Sequence, residues 1–309
     1  MPIVDPGRRP RVSVVCSAYD SHDTIEESLR AIEGQTFRDF EIIVVNSSPE
    51  TRTGELVTRL FPSVLFIQSP VRLYPQAARN RGIGEASGEL LVFTDPDCVA
   101  AADWLEKLVA AMDRGYGIAV GGMGIIAPTW RETGIHLQKF YWCLAGAAAG
   151  ELNDMATANV CISPEVWRQA GPFRSDIFCG DTLFAWRARR SGFRIAFAPQ
   201  AVVRHHHGMA VGRFIHERAT RGREFARVRS EWQRWSKTRS LLYLLATPLL
   251  LVVVSARGVV YGMAAGYGWR SFTTAPLQLL GHTAWLVGEA RAHLAHVLAT
   301  RSTQAGGDG

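Results

Sequence analysis

The chain has 309 residues, 47% of them hydrophobic, and a net charge of +6. That apolar content excludes a disordered polypeptide, and the length suits one large domain with an appendage, or two domains. The positive balance points to an anionic partner: nucleic acid, a membrane surface or a phosphorylated substrate.

Residues 1–10, with the sequence MPIVDPGRRP, lack the apolar core of a signal peptide and are expected as an N-terminal tail. "VSVVC" (12–16) is a short β-branched run, the pattern of a buried strand. From Asp23 to Gly34, Ile25, Leu29 and Ile32 recur at helical spacing behind the capping candidates Ser21 and Asp23. A second strand at 41–45, a helix near 50–60, a strand at 64–67, a helix near 76–86 and a strand at 90–94 follow in turn. Strands alternating with helices over short connections predict an α/β fold with right-handed crossovers and a mostly parallel sheet. Ligands of such sheets bind outside the carboxyl ends of the strands. The strand "LLVFT" ends there in Asp95-Pro96-Asp97. Two acids around a proline make a solvated turn, or the oxygen ligands of a hard cation such as Mg²⁺ or Mn²⁺ held together with substrate phosphates. Cys16, Cys98, Cys143, Cys161 and Cys179 are odd in number and contain no Cys-x-x-Cys pair. Neither a zinc site nor a disulfide framework is indicated, and a reducing cytoplasm is expected.

Taken in order, "VSVVCSAYD", Gln35-Thr36-Phe37 before "EIIVVNSSP", "ARNRGIGEASGELLVFTDPDC", "ANVCISPEVWRQAGPF" and "GDTLFAWRARRSGFRIAFAPQAVVRHHH" resemble the family 2 glycosyltransferases with the GT-A fold, over roughly 11–207. The resemblance implies a metal-dependent, inverting transfer of a sugar from a nucleotide-diphosphate donor to an acceptor hydroxyl. Asp95 would face the ribose or a metal-bound water, and Asp97 would ligate Mn²⁺ or Mg²⁺. Arg79 is similar to the arginine that approaches the donor diphosphate. Ser17, Ala18 and Tyr19 correspond to the family's loop after the first strand. Asn46 stands where the family has an Asp that accepts from the nucleobase. Asn still accepts through its amide oxygen but adds a donor and brings no charge. In "FCGDTLFAW" the family's Glu-Asp is Gly180-Asp181. Asp181 is then the expected general base, or in its own right an N-cap. In "VRHHHG", His205 is the match for the histidine that completes the metal shell, and His207 would share its side of a strand.

Residues 208–239 crowd arginines among Phe214, Phe225, Trp232 and Trp235, which predicts a basic amphipathic helix for a membrane surface, or a nucleic-acid contact. Two apolar stretches follow, from Leu241 to Gly266 and from Phe272 to Val287. Each is near the lower limit of the roughly 17–25 residues that span a bilayer. Residues 240–298 are therefore expected as a membrane-associated helical hairpin, with arginines at both ends on the cytoplasmic side. Residues 299–309 are expected to be a disordered tail. The whole predicts a glycosyltransferase at the cytoplasmic face of the membrane, with a lipid-linked or cell-envelope glycan as acceptor and no nucleic acid as partner. A nucleotidyltransferase-like enzyme and a non-catalytic sugar-nucleotide-binding or nucleic-acid-binding protein are the alternatives.

Overall fold

The computed structural model describes residues 9–299. Apart from Arg9, Pro10 and Ala299, the expected tails lie outside the described residues. The chain begins with β1 (Val12–Ala18), buried at every position except Ser17. There follow α1 (Ile25–Glu33), β2 (Phe40–Asn46), α2 (Arg52–Leu60), β3 (Leu65–Gln68), α3 (Pro75–Glu85) and β4 (Leu90–Thr94). The expected alternation is met to within two residues at each boundary. In α1 the residues at helical spacing, Ile25, Leu29 and Ile32, are the ones buried against the sheet.

β1 pairs in parallel with β2 and with β4, and β2 with β3. The chain moves outward through β2 and β3, then returns to lay β4 on the other side of β1. The strand order reverses between β1 and β4, and the crevice at their carboxyl ends is where such a sheet receives a ligand. Ser17 and Tyr19 stand at one of those ends, and Asp95 and Asp97 at the other.

Beyond β4 come β5 (Cys98–Ala100), α4 (Trp104–Met112), β6 (Ile118–Ile125), α5 (Trp130–Phe140), β7 (Gly150–Leu152), β8 (Asn159–Ile162), α6 (Pro164–Ala170), α7 (Gly180–Arg190) and β9 (Ile195–His205). Antiparallel strands enter here. β8 runs against both β4 and β6, while β9 runs along β6 and against β5. The single sheet has the order β3-β2-β1-β4-β8-β6-β9-β5, with β7 paired to β9. Two of its features place functional groups. The register of β5 on β9 sets His205 opposite Cys98, and so next to Asp97. Phe173 packs edge-on against Phe93 of β4 at 5.5 Å and against Phe184 of α7 at 4.7 Å. Each such aromatic pair adds roughly 0.5–1.5 kcal/mol beyond its burial, and this chain of rings ties α7 to the strand that carries the two acids.

The remainder is helical: α8 (Val211–Trp232), α9 (Lys237–Ala264), α10 (Trp269–Thr273) and α11 (Ala275–Leu298). α8 and α11 meet backbone to backbone. A Cβ on Gly222 would stand 2.2 Å from the Trp285 carbonyl oxygen, and one on Gly288 2.0 Å from that of Ala219. Leu277 of α11 joins Ile135 and Phe214 in a small apolar cluster. α11, which holds most of the second apolar stretch, thus has a protein-facing side with buried Gln278, His282, Glu289 and His293. Trp285 Nε1 donates to Glu289 at 3.1 Å, and Arg229 lies 3.5 Å from the same carboxylate. The arginine-rich segment forms α8, but part of its charge turns inward. Arg218 lies over Trp285, Arg221 over Phe178 and Arg229 over Trp235.

α9 is different. Its buried residues are Ser240, Gly258 and Gly262, while Leu242, Leu245, Leu249, Val252 and Val260 are 59–71% exposed. Among the described residues it is the one helix long and apolar enough to cross a membrane, by length and composition.

Candidate active site

One cavity of about 1330 Å³ opens at the β1/β4 crevice. Of the residues expected to act, Ser17, Tyr19, Arg79, Asp95, Asp97, Asp181 and His205 line it. Ala18 and Asn46 do not: both are buried within the sheet ends.

Asn46 has work inside the protein. Its Nδ2 donates to Gln68 Oε1 at 2.9 Å, and its Oδ1 accepts from Ser48 Oγ at 2.9 Å. Ser48 Oγ in turn receives the backbone N–H of Asp20 at 2.6 Å, and Asp20 adopts φ 51°. The amide that was expected to meet a base instead pins the loop after β1 through Ser48. At the wall itself stands Tyr19, 39% exposed, with the Arg72 guanidinium 4.3 Å over its ring. Arg72 carried no signal in the sequence.

Arg79 projects from α3, which sits close on β1 because Gly82 has no side chain. A Cβ there would lie 2.5 Å from Val15 Cγ1. The Arg79 guanidinium is 2% exposed and pairs with Asp95. It was expected at the donor diphosphate; it lines the cavity and also holds Asp95. Arg79 is buried while Asp95 is partly exposed, so loss of Asp95 would leave a buried charge without its partner, and Arg79 also serves the fold.

Asp97 Oδ2 lies 3.6 Å from His205 Nε2. The ligand atoms of Asp97, Cys98 and His205 all fall within 4.8 Å of one another. Burial, with Asp97 and Asp95 adding to it, pushes the Cys98 thiol up, so it stays protonated and offers little to a hard cation. Carboxylate plus imidazole remains, a donor set that fits Mn²⁺ better than Mg²⁺. The imidazole is also oriented for ligation. His205 Nδ1 faces the His206 carbonyl, which can only accept, and this leaves Nε2 bare toward Asp97. His207 stacks on His205 at 4.5 Å and 15°, on the side of the strand expected, while His206 turns away to Glu27 at 3.0 Å. Behind them His136 Nε2 meets the Met123 carbonyl at 3.3 Å, and its Nδ1 meets His207 Nε2 at 2.9 Å. Burial holds His136 down to about 3 and keeps His207 neutral, so this stack is a neutral prop for His205.

Asp181 is the second residue of α7. The N-cap position belongs to Cys179, which makes no side-chain capping bond. Asp181 Oδ1 accepts the Thr182 N–H at 2.9 Å, and Thr157 Oγ1 donates to Oδ2 at 3.5 Å. Burial raises its carboxyl above the ordinary range, outweighing these hydrogen bonds and the nearby Arg79 and Arg221. A second carboxylate, missed in the sequence, stands beside it. Asp154 accepts from Thr182 Oγ1 at 3.1 Å, and burial followed by the charge of Asp181 pushes it up to about 7. "ELND" reads as an ordinary polar turn, so nothing in it marked Asp154.

The family pattern's Glu before Asp181 has no room here. A Cβ on Gly180 would stand 2.4 Å from the Arg174 carbonyl oxygen and 3.0 Å from Gln76 Cγ. Gly180→Ala is therefore expected to lower stability by about 1–3 kcal/mol through overpacking, read as a fall in the thermal midpoint. A midpoint equal to the unsubstituted protein's would show that the Arg174 turn yields freely.

With the geometry in place, comparison with known proteins is direct. The model of the family "Glycosyl transferase family 2" matches residues 13–173, half of the chain. Glycosyltransferase AglE of Haloferax volcanii is 25% identical over 200 residues, covering 62% of this chain and 66% of that protein. The GalNAc(5)-diNAcBac-PP-undecaprenol beta-1,3-glucosyltransferase of Campylobacter jejuni is 27% identical over 116 residues, 36% of this chain and 38% of that one. Among solved structures, the mannosyltransferase PcManGT from Pyrobaculum calidifontis, in complex with GDP-Man and Mn²⁺, superposes with a TM-score of 0.62 at 21% identity, covering 94% of this chain and 88% of that one. GalNAc-T7 with UDP, GalNAc and Mn²⁺ gives 0.53 at 17% identity, over 65% and 44%. The reversal of strand order at β1/β4, the acids at the tip of β4 and the match over 13–173 agree, and the chain belongs to glycosyl transferase family 2, with the GT-A fold.

Proposed function

We propose that the chain is a divalent-cation-dependent, inverting glycosyltransferase that moves a sugar from a nucleoside-diphosphate donor to a hydroxyl of a lipid-linked or cell-envelope glycan, at the cytoplasmic face of the membrane. The observation that carries this reading is the convergence of Asp95, Asp97, His205 and Asp181 on one cavity at the strand-order reversal. The base of the donor lies toward Tyr19 and Arg72. Asp95, fixed by Arg79, faces the ribose. Asp97 and His205 would hold Mn²⁺ or Mg²⁺, which when bound neutralises the charge that grows on the leaving diphosphate. Asp181 takes the acceptor proton as the hydroxyl oxygen attacks the anomeric carbon opposite the leaving group, and attack from that side inverts the configuration. A hydroxyl needs such a base. A buried carboxylate with a raised pKa is suited to supply one near neutral pH.

The test is turnover by the full chain in detergent, with a panel of sugar nucleotides and Mn²⁺ or Mg²⁺. The expected result is cation-dependent consumption of one donor, with the anomeric proton coupling of the product opposite in configuration to the donor. Full activity in excess chelator, or retention, would overturn this reading.

The membrane part of the proposal rests on α9. The residues just past its C-terminal end, Ala265 and Tyr267, pack on the catalytic domain, and its N-terminal end packs on α11 through Tyr243 and His293. With both ends tied to the same body, the helix lies along the bilayer surface and submerges its exposed leucines and valines. The full chain is expected to stay with membranes through a high-salt wash, because apolar burial is not screened by salt, and to leave with detergent. Release by salt alone would refute the submerged helix.

A further inference from the structure

The cavity does not end at Asp181. It runs on past Tyr141 and Trp285 to Leu250, Val254 and Leu286, between α8, α9 and α11. Polar acids line one end and hydrocarbon the other. Between them stands a band of cations: Lys139 from α5, Arg218 and Arg221 from α8, and Arg257 from α9. Arg257 is the single charged residue between Leu241 and Gly266, and in an otherwise apolar helix it faces this cavity.

The charges do not balance. Glu217 answers the band, 2.9 Å from Arg221 Nε and 3.7 Å from Lys139 Nζ. Glu289, farther along, is taken up by Arg229 and Tyr243. The Arg218 guanidinium lies 4.3 Å over the Trp285 ring, and its Nε is sealed from water without a hydrogen-bond acceptor. Burial and then the charge of Arg221 push Arg218 down to about 9, and burial also lowers Lys139. Lys139 and Arg218, enclosed beside further cations, are unfavourable until an anion joins them. The forked donors of arginine match phosphate oxygens, and the aromatic floor beneath Arg218 fixes the plane of its fork.

We propose that Lys139, Arg218, Arg221 and Arg257 bind a phosphate or diphosphate on a lipid-linked acceptor, whose hydrocarbon chain leaves along Leu250, Val254 and Leu286 toward the apolar face of α9. The apolar limb selects this occupant: a free nucleotide or an acidic peptide would leave it unfilled. The anchored head group then presents a hydroxyl of the attached glycan to Asp181. The word "acceptor" rests on the proposed transferase function, whereas the binding site does not.

The experiment is a titration of the full chain in detergent micelles with farnesyl phosphate, without donor, followed by tryptophan fluorescence and by calorimetry. Farnesol and inorganic phosphate are the controls. Farnesyl phosphate is expected to bind at least about tenfold more tightly than either control, since a charge-assisted hydrogen bond and the buried chain each add affinity. Arg218→Gln and Arg257→Gln are each expected to weaken it by about ten- to a hundredfold, with Mn²⁺-dependent binding of nucleoside diphosphates unchanged. Arg257 is exposed on α9, so its replacement tests the site even if Arg218→Gln fails to fold. Farnesol binding as tightly as farnesyl phosphate would overturn the proposal, and so would indifference of farnesyl phosphate to Arg257→Gln. Inorganic phosphate binding equally well, with equal sensitivity to the substitutions, would leave an anion site with no lipid path and overturn the acceptor assignment. A chain that binds farnesyl phosphate but transfers no sugar would refute the transferase reading alone.

Discussion

Asp97→Asn is expected to lower sugar transfer at least a hundredfold and to abolish the gain in nucleotide affinity that Mn²⁺ provides. The substitution keeps the shape of the side chain and removes the anionic oxygen that a hard cation requires. His205 alone is a poor holder of such an ion, because an imidazole offers no charge. The fold should not suffer. The Asp97 side chain is 37% exposed and its neighbour His205 is propped independently by the His206 carbonyl and the His207 ring. Stability should change by no more than about 0.5 kcal/mol, the range of ordinary surface substitutions. Calorimetric titration of the nucleoside diphosphate with and without Mn²⁺ separates the two effects. His205→Gln provides an internal comparison. It keeps the carboxylate and replaces imidazole with an oxygen donor, so activity with Mg²⁺ should fall less than activity with Mn²⁺. Undiminished cation-dependent binding in Asp97→Asn would move the metal site away from the tip of β4.

The alternation of short β-branched runs with amphipathic helices made β1 to β4 legible, because each element there is decided by its own pattern. The acids at 95 and 97 were legible for the same reason: a topological rule says where the end of a parallel strand must be. Past β5 the local signals lose their meaning. β5 and β7 have three residues each, and β8 has four. β5 and β7 exist because β9, eleven residues long, offers both its halves as a template, and β8 because β4 and β6 leave a place between them. No window of sequence around Cys98 or Glu151 contains that information. Asp154 and Lys139 escaped notice on the same ground, since each reaches the cavity from an element whose position depends on distant pairing. Asn46 is the converse case. It occupies the motif position, yet its amide is consumed by Gln68 and Ser48. In the C-terminal region, composition reported apolar helices correctly but not which face each one hides. Glycines 222 and 288 draw α11 onto α8, and that contact makes the second apolar stretch part of the protein's interior wall.

Asp181→Asn is expected to leave Mn²⁺-dependent nucleotide binding within about twofold and to lower kcat by about 10²–10⁴, the usual worth of a positioned general base. An asparagine can still accept the Thr182 N–H, so the start of α7 should hold, and Cys179 rather than Asp181 occupies the capping position. A loss of stability with normal specific activity is therefore not what this geometry predicts. The pH profile carries a second, independent sign. Burial raises the Asp181 carboxyl, so the basic form is lost as pH falls and activity should drop on the acid side. Asp154 is pushed up to about 7 by burial and then by the charge of Asp181, so the two acids are coupled. Asp154→Asn removes a negative neighbour from Asp181, which favours its ionised form, so the acid limb of kcat should move to lower pH. The same substitution removes a carboxylate that folding holds protonated: its folded pKa lies above the unfolded one, so its contribution to stability is lost as pH rises toward about 7. Asp154→Asn should accordingly stabilise the fold more at pH 8 than at pH 5, by roughly 1–3 kcal/mol after screening by cavity water, read as a larger rise in thermal midpoint at pH 8. Normal turnover in Asp181→Asn, together with its loss in Asp154→Asn, would give the base role to Asp154 and leave Asp181 as the charge that tunes it.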